Sequence, residues 1–458
     1  MFHNSLAAIR ASKKEYSNVK RSDFPNDFLF GASTAAAQIE GSAKSEGKGP
    51  SVWDHFVREF PDKIADKSNL DIAADSYNRY KEDVSNLKDL SVDSYRFSIA
   101  WTRIFPGIKP FVTLMHFDEP EALVKKYGGF LSHRIANDFR DYAEICFKSF
   151  GDRVKNWITI NEPYIMAKMG YVVGVGPPGR CSNRKFCPSG NSTTEPYIVG
   201  HNLLLAHATA AKLYKQKYQA TQGGQIGMSL VAQYYEPYSN TSLDKKAARR
   251  GMDFEFGWFV DPLVRGKYPK TMRKLVKERL PVFSAKEKEL VKGSFDFIGI
   301  NYYSSRYAKN IPSSPNAMPV VDSRVNITVN KDGVPIGPNA GGSKFIYIYP
   351  KGLYKVLKYI KKHYGYTEKS DNYIPMSKTL KDESRIKFVQ KHLHQLRKAI
   401  KKGVDVKGYF YYSLIDSFEW GEGYTVRYGL YYVDFKTLTR SPKKSAKWYH
   451  GFIKGVTK

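Results

Sequence analysis

Short apolar runs recur along the chain, and most of them are separated by stretches with a helical pattern. The runs are nearly continuous in apolar residues, which is typical of strands buried on both faces of a parallel sheet. The predicted strands are residues 28–33, 92–99, 109–116, 154–160, 225–232, 295–303 and 406–415. Predicted helices lie between them, with clear apolar stripes at 134–151, 201–218 and 350–364.

Alternating strands and helices predict an α/β fold. Seven strands, with room in the pattern for one more, favour a (β/α)8 barrel. Polar residues stand at or just after the carboxyl ends of the predicted strands, where the active sites of such barrels are built. These residues are Arg96, His116, Asn161, Glu162, Asn301 and Glu419.

Two places depart from a complete barrel. Only the nine residues "AWTRIFPGI" join strands 92–99 and 109–116, whereas parallel neighbours need a crossover of about a dozen residues or more. After the helix at 350–364 the sequence turns polar, and no apolar run precedes Asp371. We therefore expect an incomplete barrel that lacks strand seven and the helix between strands two and three.

Composition describes a globular chain with a strong positive charge. The 458 residues are 42% hydrophobic, and 73 Lys and Arg against 44 Asp and Glu give a net charge of +29. The basic residues are spread out and carry no nucleic-acid-binding signature, so we favour a solvated basic surface over a polyanion site. A polyanion-binding protein is the weakest function hypothesis. No apolar run is long enough to span a membrane, so we expect neither a nucleic-acid nor a membrane partner.

Cysteine usage favours an oxidising compartment. Cys146 lies on a predicted helix and is expected to be a buried thiol. Cys181 and Cys187 flank a short polar loop without neighbouring histidines, so a disulfide is favoured over a metal site. The N-terminus has no signal-peptide h-region, so the chain is either cytosolic or has lost its start. Three glycosylation sequons begin at Asn191, Asn240 and Asn326.

The segment "WITINEPY" is the strongest candidate for chemistry. A predicted strand ends in Asn161, Glu162 and Pro163. The proline is expected to hold Glu162 in extended geometry. Desolvation at the mouth of an apolar barrel would raise the pKa of this carboxyl, as general acid catalysis requires. A solvated loop carboxylate is the alternative.

The motif "TINEP" after "FGDRVKNW" resembles glycoside hydrolase family 1, the retaining β-glucosidases. The similarity covers nearly the whole chain, including "DFPNDFLFGASTAAAQIEG", "SYRFSIAWTRIFP", "FDFIGINYYSSRY" and "SLIDSFEWGEGYTVRYGLYYVDF". The loop after "GPPGRCS" and the following "EPYIVGHNLLLAHA" are most similar to plant enzymes that release aglycones from defence glucosides. The resemblance implies one barrel domain at 23–458 after an extension at 1–22.

The resemblance also implies residue roles. Glu162 matches the acid/base, and Asn161 would hold the sugar 2-hydroxyl. Arg96 and Tyr303 match residues that position the nucleophile in the family. Matches to substrate-binding positions are Gln38, His116, Asn161, Asn301, Tyr303, Glu419 and Trp420.

Four positions depart from the family pattern around the sugar. Ala37 and Tyr412 replace a tyrosine and a tryptophan, while Phe117 and Ser417 replace a tryptophan and an asparagine. Each change loosens the expected fit around the sugar without removing the hydrogen-bonding groups.

The nucleophile is where two alignments compete. In the family it lies in a Thr-Glu-Asn-Gly motif at the end of strand seven. In the first alignment "YTEK" is a diverged form of this motif, which would make Glu368 the nucleophile. Alternatively, counting back from "IPMSKTLKDESRI" puts Gly365 at the motif's glycine and His363 where the glutamate belongs. We favour the second alignment, in which a block with the strand and the nucleophile is deleted, because it keeps the downstream spacing.

The resemblance therefore implies a β-glucosidase that hydrolyses O-β-glucosides of plant specialised metabolites with retention. The alternative is an inactive, glycoside-binding or decayed relative that lacks its nucleophile. We expect a small-molecule β-glucoside as substrate, no organic cofactor and no metal. By resemblance the protein belongs in the secretory pathway, and its oligomeric state is left open.

Overall fold

Eight parallel strands form a closed barrel in the computed structural model. The structure describes residues 19–45, 47–99, 110–312, 322–340, 343, 345–365, 380 and 382–456, and the backbone of 369–373. Each strand pairs with its neighbours in parallel register, and β1 pairs with both β2 and β8. The strands are β1 Leu29–Ser33, β2 Ser94–Ser98, β3 Pro110–Met115, β4 Asn156–Asn161, β5 Gln225–Val231, β6 Phe297–Tyr302, β7 Lys369–Tyr373 and β8 Gly408–Tyr412. The prediction of a (β/α)8 barrel is confirmed, as are all seven predicted strands.

The prediction that strand seven is missing is wrong. Lys369–Tyr373 fills the gap: Lys369 pairs with Gly299 of β6, and Tyr373 pairs with Tyr412 of β8. The strand is polar, so it gives no apolar signal. It closes the sheet through backbone hydrogen bonds, which depend little on the side chains and leave no open edge on β6 or β8. The connection between β2 and β3, where we expect a helix to be missing, lies outside the described residues.

Helices surround the barrel, and the three predicted ones are present. Gly151 caps the helix at 135–150, and Gly365 caps the helix at 350–364 in a left-handed conformation. The helices are α1 Ala36–Ile39, α2 Val52–Glu59, α3 Ser76–Asp89, α4 Glu121–Tyr127, α5 Ile135–Phe150, α6 Pro163–Tyr171, α7 Glu195–Leu213, α8 Gln219–Gln222, α9 Ser242–Met252, α10 Trp258–Arg265, α11 Lys270–Val276, α12 Ala285–Val291, α13 Pro350–Tyr364, α14 Glu383–Lys401 and α15 Lys444–Ile453. Short π-helical turns at Tyr214–Tyr218 and Asp253–Gly257 extend α7 and α9.

Smaller elements cover the ends of the barrel. Three short strands, Tyr234–Pro237, Ser305–Asn310 and Val325–Thr328, form a second sheet. Two-stranded pairs join Asn330–Lys331 to Val334–Pro335 and Tyr431–Val433 to Arg440–Pro442. Five 3-10 turns lie at Arg21–Asp23, Pro61–Lys63, Gly129–Leu131, Lys277–Arg279 and Trp420–Glu422. Among the described residues, no helix is both long and apolar enough to cross a membrane.

Apolar side chains fill one end of the barrel interior and leave the other end polar. Phe111, Ile158, Phe297 and Phe410 form a buried cluster, with the Phe111 and Phe410 rings 4.9 Å apart. All four lie in the first three residues of their strands, so the cluster fills the amino half of the interior. This layered filling makes the barrel a packed core rather than a pore. The carboxyl ends of the strands are thereby left for polar side chains.

Candidate active site

Glu162 stands at the turn from β4 into α6 and is 3% exposed. Its backbone is left-handed, with φ 45° and ψ 59°, rather than extended as we predicted from Pro163. The chain has to turn sharply here because Asn161 ends the strand and Pro163 begins the helix. Such a conformation is sparsely populated and is often found at functional sites.

Two side chains hold the carboxyl of Glu162. The Tyr303 hydroxyl and the Asn301 amide both donate to its Oε1. Burial raises the pKa of Glu162 to about 7, and the two hydrogen bonds and the charge of Arg96 only partly offset this increase. The carboxyl is therefore largely protonated below neutral pH, as a general acid must be.

Arg96 on β2 forms hydrogen bonds to residues of three other strands, β3, β4 and β6. Its guanidinium donates to Asn161 Oδ1, to Asn301 Oδ1 at 3.4 Å and to Thr113 Oγ1 at 3.4 Å. Asn301 also donates to Asn161 Oδ1 at 3.0 Å and accepts from Ser229 Oγ at 3.2 Å. The two asparagines thus have little rotational freedom.

His116 follows β3 and joins the same network. Asn161 Nδ2 donates to its Nε2 at 3.0 Å. Burial, helped by the charge of Arg96, holds the pKa of His116 well below its usual range, so the ring is neutral. Since Nε2 accepts, Nδ1 carries the proton, and Nδ1 has no hydrogen-bond partner among the described residues.

A second polar cluster surrounds Gln38 and Glu419. Gln38 on α1 donates to the Phe418 carbonyl and to Glu419 Oε2, the latter at 3.3 Å. The Tyr412 hydroxyl donates to Gln38 Oε1, and Ser417 Oγ donates to Glu419 Oε1 at 2.7 Å. All of these residues are buried.

Trp420 forms an aromatic wall between the clusters. Its ring lies 4.8 Å from that of Trp53 and 5.5 Å from that of Phe117. The imidazole of His116 stacks with it at 6.0 Å and 25°. The negative charges of Glu419 and Glu162 both act on the Tyr412 hydroxyl, whose pKa burial raises well above its usual range. The two clusters therefore border one site.

The structure brings together the nine predicted residues of the catalytic centre and sugar pocket. One contact differs from the expectation. The Tyr303 hydroxyl donates to Glu162, whereas the resemblance implies that it contacts the nucleophile. Sequence reasoning missed Ser229 and Glu255, and it treated Tyr412 and Ser417 only as departures. Glu255 is buried, and its charge contributes to the raised pKa of Glu162.

The residues named for the nucleophile lie apart from this site or outside the described residues. His363 ends α13 on the outside of the barrel, where its ring stacks on Tyr359 at 4.0 Å. Arg249 Nη2 lies 3.2 Å from its Nε2. Glu368 lies outside the described residues. Deletion of the nucleophile stays a prediction.

Cys181 and Cys187 form a disulfide with their Cα atoms 5.5 Å apart, and Cys146 is a buried free thiol. The disulfide closes the loop after α6. Across the described ranges, no group of His, Cys, Asp and Glu has the spacing to hold a metal ion.

A closed parallel barrel with a buried, protonated carboxyl and a polar pocket at the carboxyl ends of its strands is typical of hydrolytic barrel enzymes. The Glycosyl hydrolase family 1 model matches residues 20–107 and 106–457. The chain belongs to this family. The match is in two pieces, which meet in the shortened connection between β2 and β3.

Relatives of known name extend the comparison. The chain is 48% identical over 476 residues to Beta-glucosidase 12 of Oryza sativa subsp. indica, with 95% of this chain and 93% of that protein covered. It is 50% identical over 471 residues to Furostanol glycoside 26-O-beta-glucosidase of Hellenia speciosa, covering 95% and 84%. A crystal structure of a rice beta-glucosidase superposes with a TM-score of 0.92 at 42% identity, covering 96% of this chain and 100% of that one.

The alignment with the rice relative spans more positions than this chain contributes, since 95% of 458 residues is fewer than 476. That protein therefore carries residues that this chain lacks.

Proposed function

We propose that this protein is a β-glucosidase, which hydrolyses O-β-glucosides of small-molecule aglycones with retention of configuration. The observation that carries the proposal is Glu162, a buried carboxyl at the carboxyl end of β4 with a pKa raised to about 7. The relatives named above support glucose as the sugar.

Glu162 is the general acid in this mechanism and afterwards the general base. Both of its bonds from Tyr303 and Asn301 go to Oε1. We assign Oε2 as the atom that delivers the proton to the leaving oxygen. Once the aglycone has left, the same carboxylate takes a proton from the attacking water.

The sugar would be held by hydroxyl contacts and one aromatic face. Gln38 and Glu419 offer an amide and a carboxylate, which suit hydroxyl groups that donate and accept together. His116 would add its Nδ1 proton, and Asn161 would bind the 2-hydroxyl. Trp420 would pack against the apolar face of the ring.

Retention requires a second carboxylate about 5–5.5 Å from the first, which forms a covalent glycosyl-enzyme intermediate. A mutant of the rice enzyme has been crystallised in a covalent complex with glucose. In this chain the segment 366–373 holds two carboxylates, Glu368 and Asp371. The Cα of Asp371 pairs with that of Asn301, whose side chain contacts Glu162. For the enzyme proposal we therefore place the nucleophile in this segment, rather than in a deleted block as the favoured alignment predicts.

A mechanism-based inhibitor tests the proposal. The protein is incubated with 2,4-dinitrophenyl 2-deoxy-2-fluoro-β-glucoside, digested, and searched by mass spectrometry for an added fluoroglucosyl group. We expect one modified peptide within 366–373 and stoichiometric release of dinitrophenolate. The Glu162→Gln variant should still be labelled by this activated reagent, but it should lose about 100-fold or more in turnover of an unactivated aryl glucoside.

The exposed Glu289→Gln variant on α12 is the matched control and should behave as wild type. Tight binding of a glucose-like inhibitor without labelling or turnover would sink the enzyme proposal. That result would favour the glycoside-binding relative without a nucleophile.

A further inference from the structure

Two neighbouring helices on the outside of the barrel, α13 and α14, are rich in lysine. Lysines on α13 recur at spacings of four, three and four residues, and lysines on and just after α14 recur at four, seven and four. Each set therefore lies along one side of its helix. This lysine face consists of Lys351, Lys355, Lys358, Lys362, Lys387, Lys391, Lys398 and Lys402.

The two rows lie side by side. The buried sides of α13 and α14 pack on the barrel, and the helices contact each other along their length. Lys398 Nζ lies 5.1 Å from the centre of the Tyr354 ring on α13. Lys361 Nζ reaches back to the Lys402 carbonyl at 3.2 Å. These contacts join the rows into one surface.

Acidic residues are scarce on this surface. The sequence of α13 contains none, and that of α14 contains only Glu383, which pairs with Lys444 at 2.6 Å. Lys355 contacts the carboxylate of Glu236. Across the described residues, six lysines of the face make no ion pair: Lys351, Lys358, Lys362, Lys387, Lys398 and Lys402.

We propose that the lysine face binds a linear acidic polysaccharide of the polyuronate type. Two parallel rows of ammonium groups suit a chain with a carboxylate on each sugar, and the net charge of +29 would draw such a chain in over a longer range. The face lies on the side of the barrel, away from the site at the carboxyl ends of the strands. A bound polymer would leave that site open.

The surroundings of the face argue against other polyanions. Proteins that bind single-stranded nucleic acids stack the bases on exposed aromatic side chains, yet Tyr354 and Tyr359 are partly buried and lie under a lysine and a histidine. Peripheral membrane helices insert exposed apolar residues, and neither α13 nor α14 has an exposed large hydrophobic residue. The Cys181–Cys187 disulfide is typical of proteins of an oxidising compartment.

The test compares two quadruple variants of equal charge. One carries Lys358→Gln, Lys362→Gln, Lys387→Gln and Lys402→Gln. The control carries Lys245→Gln, Lys246→Gln, Lys286→Gln and Lys288→Gln on exposed positions of α9 and α12. Glutamine has a helix propensity close to that of lysine and a side chain only one atom shorter, and both proteins should match wild type in circular dichroism.

Binding is measured to immobilised polygalacturonate, with neutral galactan as the reference polymer. We expect wild type to bind only the acidic polymer, with affinity falling as salt rises. The face variant should bind about tenfold more weakly at an ionic strength of about 0.05 M, and the control variant should stay close to wild type.

Equal losses in the two variants would overturn the proposal, because they would show that net charge alone is responsible. Tighter wild-type binding to double-stranded DNA, or to vesicles of equal parts phosphatidylserine and phosphatidylcholine, would also overturn it. The absence of binding to polygalacturonate at low salt would do the same.

Discussion

Tyr303 is the residue at which the resemblance and the geometry disagree. The resemblance implies that its hydroxyl holds the nucleophile, whereas in the structure it donates to Glu162. A donor to a carboxylate favours the ionised form and lowers its pKa. The two alternatives therefore predict shifts in different limbs of a pH profile.

We expect Tyr303→Phe to move the alkaline limb of kcat/KM upward by about one pH unit, because a charge-assisted hydrogen bond is comparable with one unit of pKa. Glu162 must be protonated to act, and its pKa of about 7 sets that limb in wild type. Removing the donor raises this pKa, so activity persists to higher pH. The profile is measured with an unactivated aryl glucoside.

Tyr302→Phe is the matched control for this variant. Tyr302 is the neighbouring buried tyrosine, and its hydroxyl donates to the Tyr349 carbonyl at 2.7 Å, away from Glu162. It should leave the alkaline limb in place. If Tyr303→Phe instead shifts the acidic limb and leaves the alkaline limb in place, the Tyr303 hydroxyl acts on the nucleophile, as the resemblance implies.

Glu119 is a buried carboxyl that has no role in the proposed reaction. It lies between β3 and α4, is fully buried, and burial raises its pKa to about 8 from an unfolded value near 4.5. Between these values the unfolded chain gives up a proton that the folded chain keeps. Stability from this residue is thus present below about pH 4.5 and lost progressively as pH rises towards 8.

We expect Glu119→Gln to remove this loss. Relative to wild type, the free energy of unfolding of the variant should increase by about 2 to 4 kcal/mol between about pH 5 and pH 8, since one pKa unit corresponds to about 1.4 kcal/mol. Denaturant unfolding at both pH values measures it. Glu289→Gln, on an exposed position, should show no such gain, and an equal difference at both pH values would refute the argument.

At the scale of elements, apolar runs predicted seven of the eight barrel strands but not β7. The seven strands are largely buried on both faces, so each one can be predicted from its own run of apolar side chains. The sequence of β7, "KSDNY", carries no such signal. Its place is set by its neighbours, because β6 and β8 each need a backbone partner. That requirement is not local and cannot be read from five residues.

The site was predictable where the chemistry falls at strand ends. Arg96, His116, Asn161 and Glu162 could be found because polar residues interrupt apolar strands there. Ser417 could not, because its role depends on reaching Glu419 within a loop of irregular backbone. The same holds for the Tyr412 hydroxyl, which meets Gln38 because β8 pairs with β1, although the two residues are far apart in the chain.

Strand β7 also gives a prediction about the nucleophile. Asp371 is the third residue of the strand, whereas Glu368 precedes the strand in the sequence. The Cα of Asp371 pairs with that of Asn301, whose amide donates to Glu162. We expect Asp371→Asn to abolish labelling by the fluoroglucoside and Glu368→Gln to leave it intact.

Both variants change a carboxylate to its amide within the same segment, so each is the control for the other. Mass spectrometry of the labelled digest, together with turnover of an activated glucoside, supplies the measurement. Loss of labelling in Glu368→Gln alone would favour the alignment in which "YTEK" is the family motif.

For the whole molecule, the net charge of +29 should oppose compactness. Like charges on a folded surface repel each other, and folding brings them closer together. Added salt shortens the range of this repulsion, from about 30 Å at 0.01 M to about 8 Å at 0.15 M. Salt should therefore stabilise the fold, and most strongly where the lysines are densest.

We expect the unfolding temperature to rise by about 2 to 4 °C when sodium chloride is increased from about 0.01 to 0.15 M. The lysine-face quadruple variant should show a smaller rise than the control quadruple variant, although both lose the same charge. The control lysines stand beside acidic residues in the sequence of α9 and α12, whereas α13 contains none and α14 only Glu383. Calorimetry at constant pH measures both. If the unfolding temperature falls with salt, attraction between opposite charges outweighs the excess of lysines, and the self-repulsion argument is wrong for this protein.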